Sequence, residues 1–233
     1  MTLAEITSRN YQTAIIFKKY GLDFCCGGKK TLQQACLENN IDQSTLLEEL
    51  EDQNVNLIST EDYSDWNIDF LADYIVNTQH QYVRKNLPII KEFLDKTVKK
   101  HSLHHPELLT IQQNYDQVFH ELIPHMQKEE QILFPYIKQM TKMKELNRKM
   151  SEPMFGTVKN PISLMEQEHE MAGELFKNIR EISNNLTLPE DACKTYQITY
   201  LMINEFEENL HFHIHLENNI LFPKAIKLEN EVL

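Results

Sequence analysis

The chain is short of the residues that break or staple a backbone. Its 233 residues include 5 glycines and 8 prolines, too few for the turns of a many-stranded fold and in keeping with long helices. Four cysteines do not make a disulfide framework in a chain of this size. Two of them, Cys25 and Cys26, are neighbours, and a disulfide between adjacent residues closes a strained ring. Reduced thiols in a reducing compartment are therefore expected. No apolar run approaches the roughly 20 residues that span a bilayer. The segment from Met1 to Gly21 lacks the charged start, compact apolar stretch and small-residue cleavage site of a secretory signal, so a cytoplasmic location is expected. Positive charge is scarce too: 23 Lys and Arg against 35 Asp and Glu leave a net charge of −12. That balance argues against nucleic acid, whose phosphates call for Lys and Arg, and against anionic membrane surfaces.

What is there reads as helix nearly throughout, and the expected fold class is all-α. Hydrophobic residues at 41% and charged residues at 25% are ordinary for a globular protein. Residues 1–60 are expected to form a small helical domain. Thr2 with Glu5 makes a capping-box pattern, Gly21 suits the position just past a helix end, Thr31 can cap a second helix, and a third spans about 44–52. Residues 53–66 are polar and aperiodic and read as a linker. Residues 61–233 are expected to form an antiparallel four-helix bundle. Its first helix follows a cap at Asp65, the second spans about 106–140, the third about 162–184 and the fourth about 189–228. Pro124, Pro135 and Pro223 fall inside helical patterns and should kink or locally end them, although the apolar stripe carries the second helix through Pro135.

Four histidines, His80, His125, His169 and His213, stand 45, 44 and 44 residues apart. His125 and His213 each open the pattern His-x-x-x-Glu-x-x-x-x-Phe-Pro, with Glu129, Phe134 and Pro135 in one copy and Glu217, Phe222 and Pro223 in the other. One unit is thus written twice. Residues i and i+4 share a helix face, about 6 Å apart along the axis, so each His-Glu pair can aim at one point. Midway ligands on four consecutive antiparallel helices then meet near the bundle centre. A lone helical histidine is usually an ordinary surface or core residue, and a lone His-x-x-x-Glu is a common i,i+4 pair. Two copies plus two further histidines at matched intervals point instead to a two-metal site. Imidazole with carboxylate suits iron, zinc or manganese, and Glu129 and Glu217 can each span two ions. Carboxylate-bridged pairs in helical bundles favour iron.

Other polar residues receive lesser roles. Only His213 of the fourth helix pairs with Glu217, which leaves His211 and His215 to support a ligand or face solvent. His101, His104 and His105, at the first corner of the bundle, are expected to face solvent. Glu121 and Glu168 are candidates to orient a ligand imidazole, with a plain solvated carboxylate the favoured reading of both. Cys36 and Cys193 read as core positions. Cys25-Cys26-Gly27-Gly28, placed ahead of a helix, leaves two readings open. These are thiolates favoured by a helix N-terminus that bind iron, pass it on or sense oxidants, or two small buried residues in a tight turn.

Residues from about 65 to 230 resemble the hemerythrin-like di-iron domain. With Tyr20-Gly21-Leu22-Asp23-Phe24-Cys25-Cys26-Gly27-Gly28 and Ala35-Cys36, nearly the whole chain resembles the bacterial repair-of-iron-centres family, the iron-sulfur cluster repair di-iron proteins. The resemblance implies a non-haem, oxo- and carboxylate-bridged pair of irons. Its ligands would be His80, His125, His169, His213, Glu129 and Glu217, without the fifth histidine of oxygen-carrying hemerythrin. It also implies a cytoplasmic homodimer that restores iron-sulfur clusters damaged by nitric oxide or hydrogen peroxide, by giving up iron. Two other readings stand beside it: a di-iron catalyst acting on nitric oxide, oxygen or peroxide, and a module that carries or senses a small gas.

Overall fold

The structure is a computed structural model that describes residues 1–55 and 63–233, with side chains described outside 52–62. Of the expected linker at 53–66, residues 56–62, together with the expected domain boundary at 60/61, lie outside the described residues. Among the described residues the only β-pairing is a single bridge between Thr2 and Thr31.

Four helices come first: α1 (Leu3–Arg9), α2 (Thr13–Lys19), α3 (Leu32–Glu38) and α4 (Gln43–Val55). Thr2 and Thr31 both close full capping boxes, with Glu5 and Gln34. Gly21 takes φ +67° just past α2, and Leu22 N–H reaches back to Phe17 O at 2.8 Å, the left-handed cap that favours glycine.

Four long rods follow. Rod A joins α5 (Ile68–Tyr74), the π-helical segment π1 (Ile75–His80) and α6 (Gln81–His101). Rod B joins α7 (Glu107–Lys128), π2 (Glu129–Leu133) and α8 (Phe134–Glu145). Rod C is α9 (Lys159–Ile182), and rod D joins α10 (Lys194–His215), π3 (Leu216–Leu221) and α11 (Phe222–Val232). Closest packing is B on C, A on D and A on B.

Several boundaries differ from expectation. Asp65 ends a 3₁₀ turn, and Asn67 occupies the N-cap of rod A. Rod C starts at Lys159 with Pro161 in its first turn, where a missing N–H leaves no bond unmade. Asn184, Asn185 and Leu186 at φ 50°, 58° and 57° turn the chain left-handed after rod C, and rod D starts only at Lys194, behind its N-cap Cys193. Rods B and D run on through Pro135 and Pro223. Each proline stands in the first turn of the α-helix that resumes after a π segment, and its i−4 partner lies in that wider turn. The lost hydrogen bond is thus taken up by the change of helical register.

Two apolar clusters fill the interior. One runs without a break from Phe17, Phe24 and Leu46 of the N-terminal segment into Leu87, Phe176, Phe206 and Ile214 of the rods. The other gathers Leu71, Ile137, Val158, Leu216 and Phe222 at the far end. Each rod passes from one cluster to the other at its candidate ligand: Ile75 to Val83 around His80, Met126 to Leu133 around Glu129, Met165 to Ala172 around His169, Ile214 to Leu216 beside His213.

Candidate metal centre

The six predicted residues converge. His80, His125, Glu129, His169, His213 and Glu217 are all buried, with at most 2% of any of them exposed. They form two sets that share both glutamates: His80, Glu129, His213 and Glu217, and His125, Glu129, His169 and Glu217. Within each set the ligand atoms lie within 4.8 Å of one another. Glu217 Oε1 stands 3.0 Å from His213 Nε2 and 3.8 Å from His80 Nε2, while Oε2 stands 3.2 Å from His169 Nε2. Glu129 Oε2 stands 3.3 Å from His80 Nε2 and 3.4 Å from His125 Nε2. His125 and His169 bring their Nε2 atoms to 3.0 Å, a separation at which at most one can carry a proton. Three rods carry a π segment at this level: His80 ends π1, Glu129 begins π2 and Glu217 is the second residue of π3.

The donor set fits a metal. His80 Nε2, both oxygens of Glu129 and Glu217 Oε2 are buried with no hydrogen-bond partner. Unpaired buried carboxylate oxygens carry a large desolvation cost unless a cation meets them. The charge distribution answers the same strain. Although burial opposes it, Glu129 and Glu217 push His80 up to about 10, and Glu217 pushes His169 up to about 9. Glu217 itself lies well below the usual carboxylate range despite burial, held there by the surrounding imidazoles.

Each imidazole must present Nε2 inward, and three are fixed from behind. His80 donates from Nδ1 to Glu130 Oε1 at 2.6 Å, and Glu130 is in turn gripped by Arg84 at 2.8 and 2.9 Å. His125 donates from Nδ1 to Glu168 Oε2 at 2.8 Å, and Lys128 meets the other oxygen. His125 and Lys128 hold Glu168 down to about 2 against its burial. His169 donates from Nδ1 to Asn218 Oδ1 at 2.8 Å. Such partners fix tautomer and ring orientation. Glu168 is therefore no idle solvated carboxylate, whereas Glu121 accepts only from Gln117. Glu130 and Asn218 escaped the sequence reading. The signal for both was the residue directly after each ligand glutamate, the same place in the two copies of the repeat.

The remaining histidines sort differently from expectation. His215 is buried, pushed down to about 3 by that burial, and paired with Asn219 at 2.9 Å. His211 lines a cavity away from the cluster. His101 does not face solvent: it is 7% exposed and sits 3.1 Å from Cys193 Sγ. His105 is partly buried between Glu107 and Asp191, and of the three corner histidines only His104 is exposed.

The thiols also depart from expectation. Cys25 and Cys26 do not head a helix, because α3 begins at Leu32 behind its cap Thr31. Asp23 organises their turn, accepting the backbone N–H groups of Cys25, Cys26 and Gly27 at 3.0, 2.9 and 2.8 Å. The Cys25 thiol points at Asp23 Oδ1, 3.3 Å away, with Cys26 Sγ at 4.0 Å. The neighbouring Cys26 thiol, burial and the Asp23 carboxylate raise Cys25 well above the usual thiol range, so it is a thiol rather than a thiolate. Gly27 and Gly28 serve close approach, not positive φ. A Cβ on Gly28 would meet Phe24 O at 2.4 Å, and one on Gly27 would meet Asp23 O at 2.9 Å. The turn closes one wall of a cavity of about 600 Å³ against rods C and D, beside Gly173 and His211.

Cys36 is a core residue, as expected, but Cys193 is the N-cap of α10 and partly exposed. The first-turn N–H of Tyr196 and the His101 ring, acting against burial, bring Cys193 down to about 6. Alkylation of the native protein at pH 7 is therefore expected to label Cys193 first, its rate rising with a midpoint near pH 6. Buried Cys25 and Cys36, both raised, stay unlabelled. Because the folded value lies below the unfolded one, the stabilisation from this thiolate is lost as pH falls through about 6. Mass spectrometry of the modified peptides reads the order, and labelling of Cys25 ahead of Cys193 would contradict it.

A four-helix bundle in which buried histidines and shared glutamates converge from every rod defines a hemerythrin-type cation-binding protein. Residues 71–225 match the family described as "Hemerythrin HHE cation binding domain", and residues 1–54 match a domain of unknown function, DUF542. The chain is 35% identical over 218 residues, 94% of its length and 93% of the relative's, to the protein named iron-sulfur cluster repair protein YtfE of Yersinia pseudotuberculosis serotype IB (strain PB1/+). It is 35% identical over 227 residues, 96% of each chain, to the protein of that name from Enterobacter sp. (strain 638). The chain belongs to the YtfE family.

Proposed function

We propose that this chain is a di-iron protein that repairs iron-sulfur clusters damaged by oxidative or nitrosative stress, and that it does so by supplying iron. The observation that carries this reading is a duplicated His and Glu cluster inside a chain aligned almost end to end with proteins named for that repair. His80 and His213 with Glu129 and Glu217 would hold one iron, and His125 and His169 with the same two glutamates the other. The two oxygens of Glu217, facing different histidines, support a bridging role. An iron pair held there would supply one-electron redox chemistry, in a mixed imidazole and carboxylate ligation from which iron could leave. The chain's own part is to hold four Nε2 atoms inward, to keep water from the centre with the two apolar clusters, and to balance the iron charge with Glu129 and Glu217. Cys25 and Cys26, on the wall of the cavity against rods C and D, would take part in passing the iron on. The working form is a homodimer in the cytoplasm, and its partners are damaged iron-sulfur proteins; nitric oxide and oxygen are candidate ligands of the irons.

The test is recovery of an iron-sulfur enzyme inactivated by nitric oxide. The iron-loaded chain is expected to restore its activity, and His125→Ala to leave it at background. Equal recovery with the variant would overturn the proposal. Consumption of many equivalents of nitric oxide per chain, without recovery of the enzyme, would instead favour a catalyst.

A further inference from the structure

The residue after each ligand glutamate differs between the two copies of the repeat, and the difference has a physical consequence. In the first copy it is Glu130, which accepts His80 Nδ1–H and is tied to Arg84 of rod A, one turn beyond His80. In the second copy it is Asn218, which accepts His169 Nδ1–H at 2.8 Å. A carboxylate at this place can only accept. An amide has a second, donating side, and Asn218 Nδ2 donates to the backbone carbonyl of Cys25 at 3.3 Å. Asn218 is itself buried. Its neighbour Asn219 donates to Phe24 O at 2.9 Å, so two consecutive residues of π3 grip two consecutive carbonyls of the cysteine turn. From the other side, α1 donates Ala4 N–H to Gly28 O at 2.9 Å and Leu3 N–H to Lys30 O at 3.0 Å. The turn is thus clamped between α1 and π3, and one hydrogen-bonded chain runs from Cys25 C=O through the Asn218 amide to the His169 ring.

We propose that Asn218 is a positioning residue that couples the cysteine turn to His169, so that displacement of the turn loosens metal at the His125–His169 position and leaves the His80–His213 position unaffected. The inference rests on the two-iron reading above. The asymmetry follows from the partners: Glu130 is anchored within the bundle, whereas Asn218 is shared with the small domain. Whatever moves the turn pulls on the amide that keeps His169 Nε2 facing the metal. Loss of such support weakens metal binding by about 10–100-fold.

Three substitutions in the full chain separate the parts of this role. Each protein is loaded with ferrous iron without oxygen, and release to a ferrous chelator is followed by absorbance. Asn218→Leu removes both bonds, and one of the two irons is expected to leave about tenfold faster or more, with the other at the wild-type rate. Asn218→Asp keeps an acceptor for His169, adds a charge behind that ring and has no donor for Cys25, so neither iron is expected to leave faster than from the wild type. Gly28→Ala drives a Cβ into Phe24 O and displaces the turn without touching a ligand. It is expected to speed release of one iron in the wild-type background and to add nothing in the Asn218→Asp background, a non-additivity that marks coupling. Release of both irons at the wild-type rate from Asn218→Leu would overturn the proposal. So would the same acceleration by Gly28→Ala with Asn or Asp at 218. If the wild-type chain takes up other than two irons, the two-iron reading fails instead, which metal analysis before the chelator is added reveals separately.

Discussion

Replacing Glu217 by alanine is expected to leave the chain unable to hold metal at either position. No other residue is placed so centrally: its two oxygens stand within 4 Å of His80, His169 and His213, and it belongs to both sets of ligand atoms. It is fully buried, so no water can take its place without opening the apolar clusters around it. Removing one partner of a buried charge cluster costs about 3–5 kcal/mol, which is between about a hundredfold and a few thousandfold in affinity. Glu168→Gln provides the contrast. It keeps an acceptor for His125 Nδ1–H and removes only a charge behind that ligand, so its loss is expected to stay within about 10–100-fold. Metal content after dialysis against graded chelator distinguishes the two variants. Retention of metal by Glu217→Ala at wild-type strength would show that the bundle centre is not the binding site.

Removing the metal from the intact protein is expected to lower its melting temperature by about 10 °C or more. The metal-free centre keeps two buried glutamates among four buried imidazoles, with several oxygens unpaired. Folding this arrangement without a cation sets the desolvation of charge against imperfect pairing. A ligand present at 100 times its dissociation constant stabilises by about 2.7 kcal/mol per site. With the two sites proposed above the gain is about 5 kcal/mol, and at about 2–4 °C per kcal/mol for a chain of this size the shift is about 10–20 °C. Calorimetry of the loaded and stripped protein measures it. The stripped protein should regain the higher transition when ferrous iron is restored. Equal melting temperatures for the two forms would mean that the cluster closes as well without metal as with it.

The legible part of this protein was the part governed by short-range geometry. Capping boxes at Thr2 and Thr31 and the left-handed cap at Gly21 are local, and they stand where the pattern put them. The four histidines and two glutamates converge as their spacing required. Choosing His213 over its neighbours needed only the i,i+4 relation to Glu217, and His215 does turn to the opposite side, toward Asn219 and the cysteine turn. Errors arose where burial depends on what another rod brings. His101 reads as a corner residue, yet rod D returns to cover it with Cys193 and Tyr196. Glu168 reads as a solvated carboxylate, but rod B places His125 and Lys128 against it. Of the two readings left open for Cys25, the buried residue in a tight turn holds and the helix-start thiolate does not, because the chain makes an extra turn around Asp23 before α3 begins.

The first 55 residues fold as four helices where three were expected, α1 and α2 being separate, but the sequence alone determined the four rods, the duplicated unit and the six residues aimed at the centre. All of these follow from a fixed rise and a fixed angle per residue, which act within one rod. Only the tertiary structure decided how the ligands are held. His80, His125 and His169 find their Nδ1 partners 50, 43 and 49 residues away on neighbouring rods. Those pairings depend on the axial register of one rod against the next, which the π segments at His80, Glu129 and Glu217 reset. The docking of the cysteine turn on π3 was likewise invisible beforehand. A hydrogen bond between a backbone carbonyl and an amide 193 residues away leaves no periodicity in the chain, because it depends on how the N-terminal helices pack on rod D.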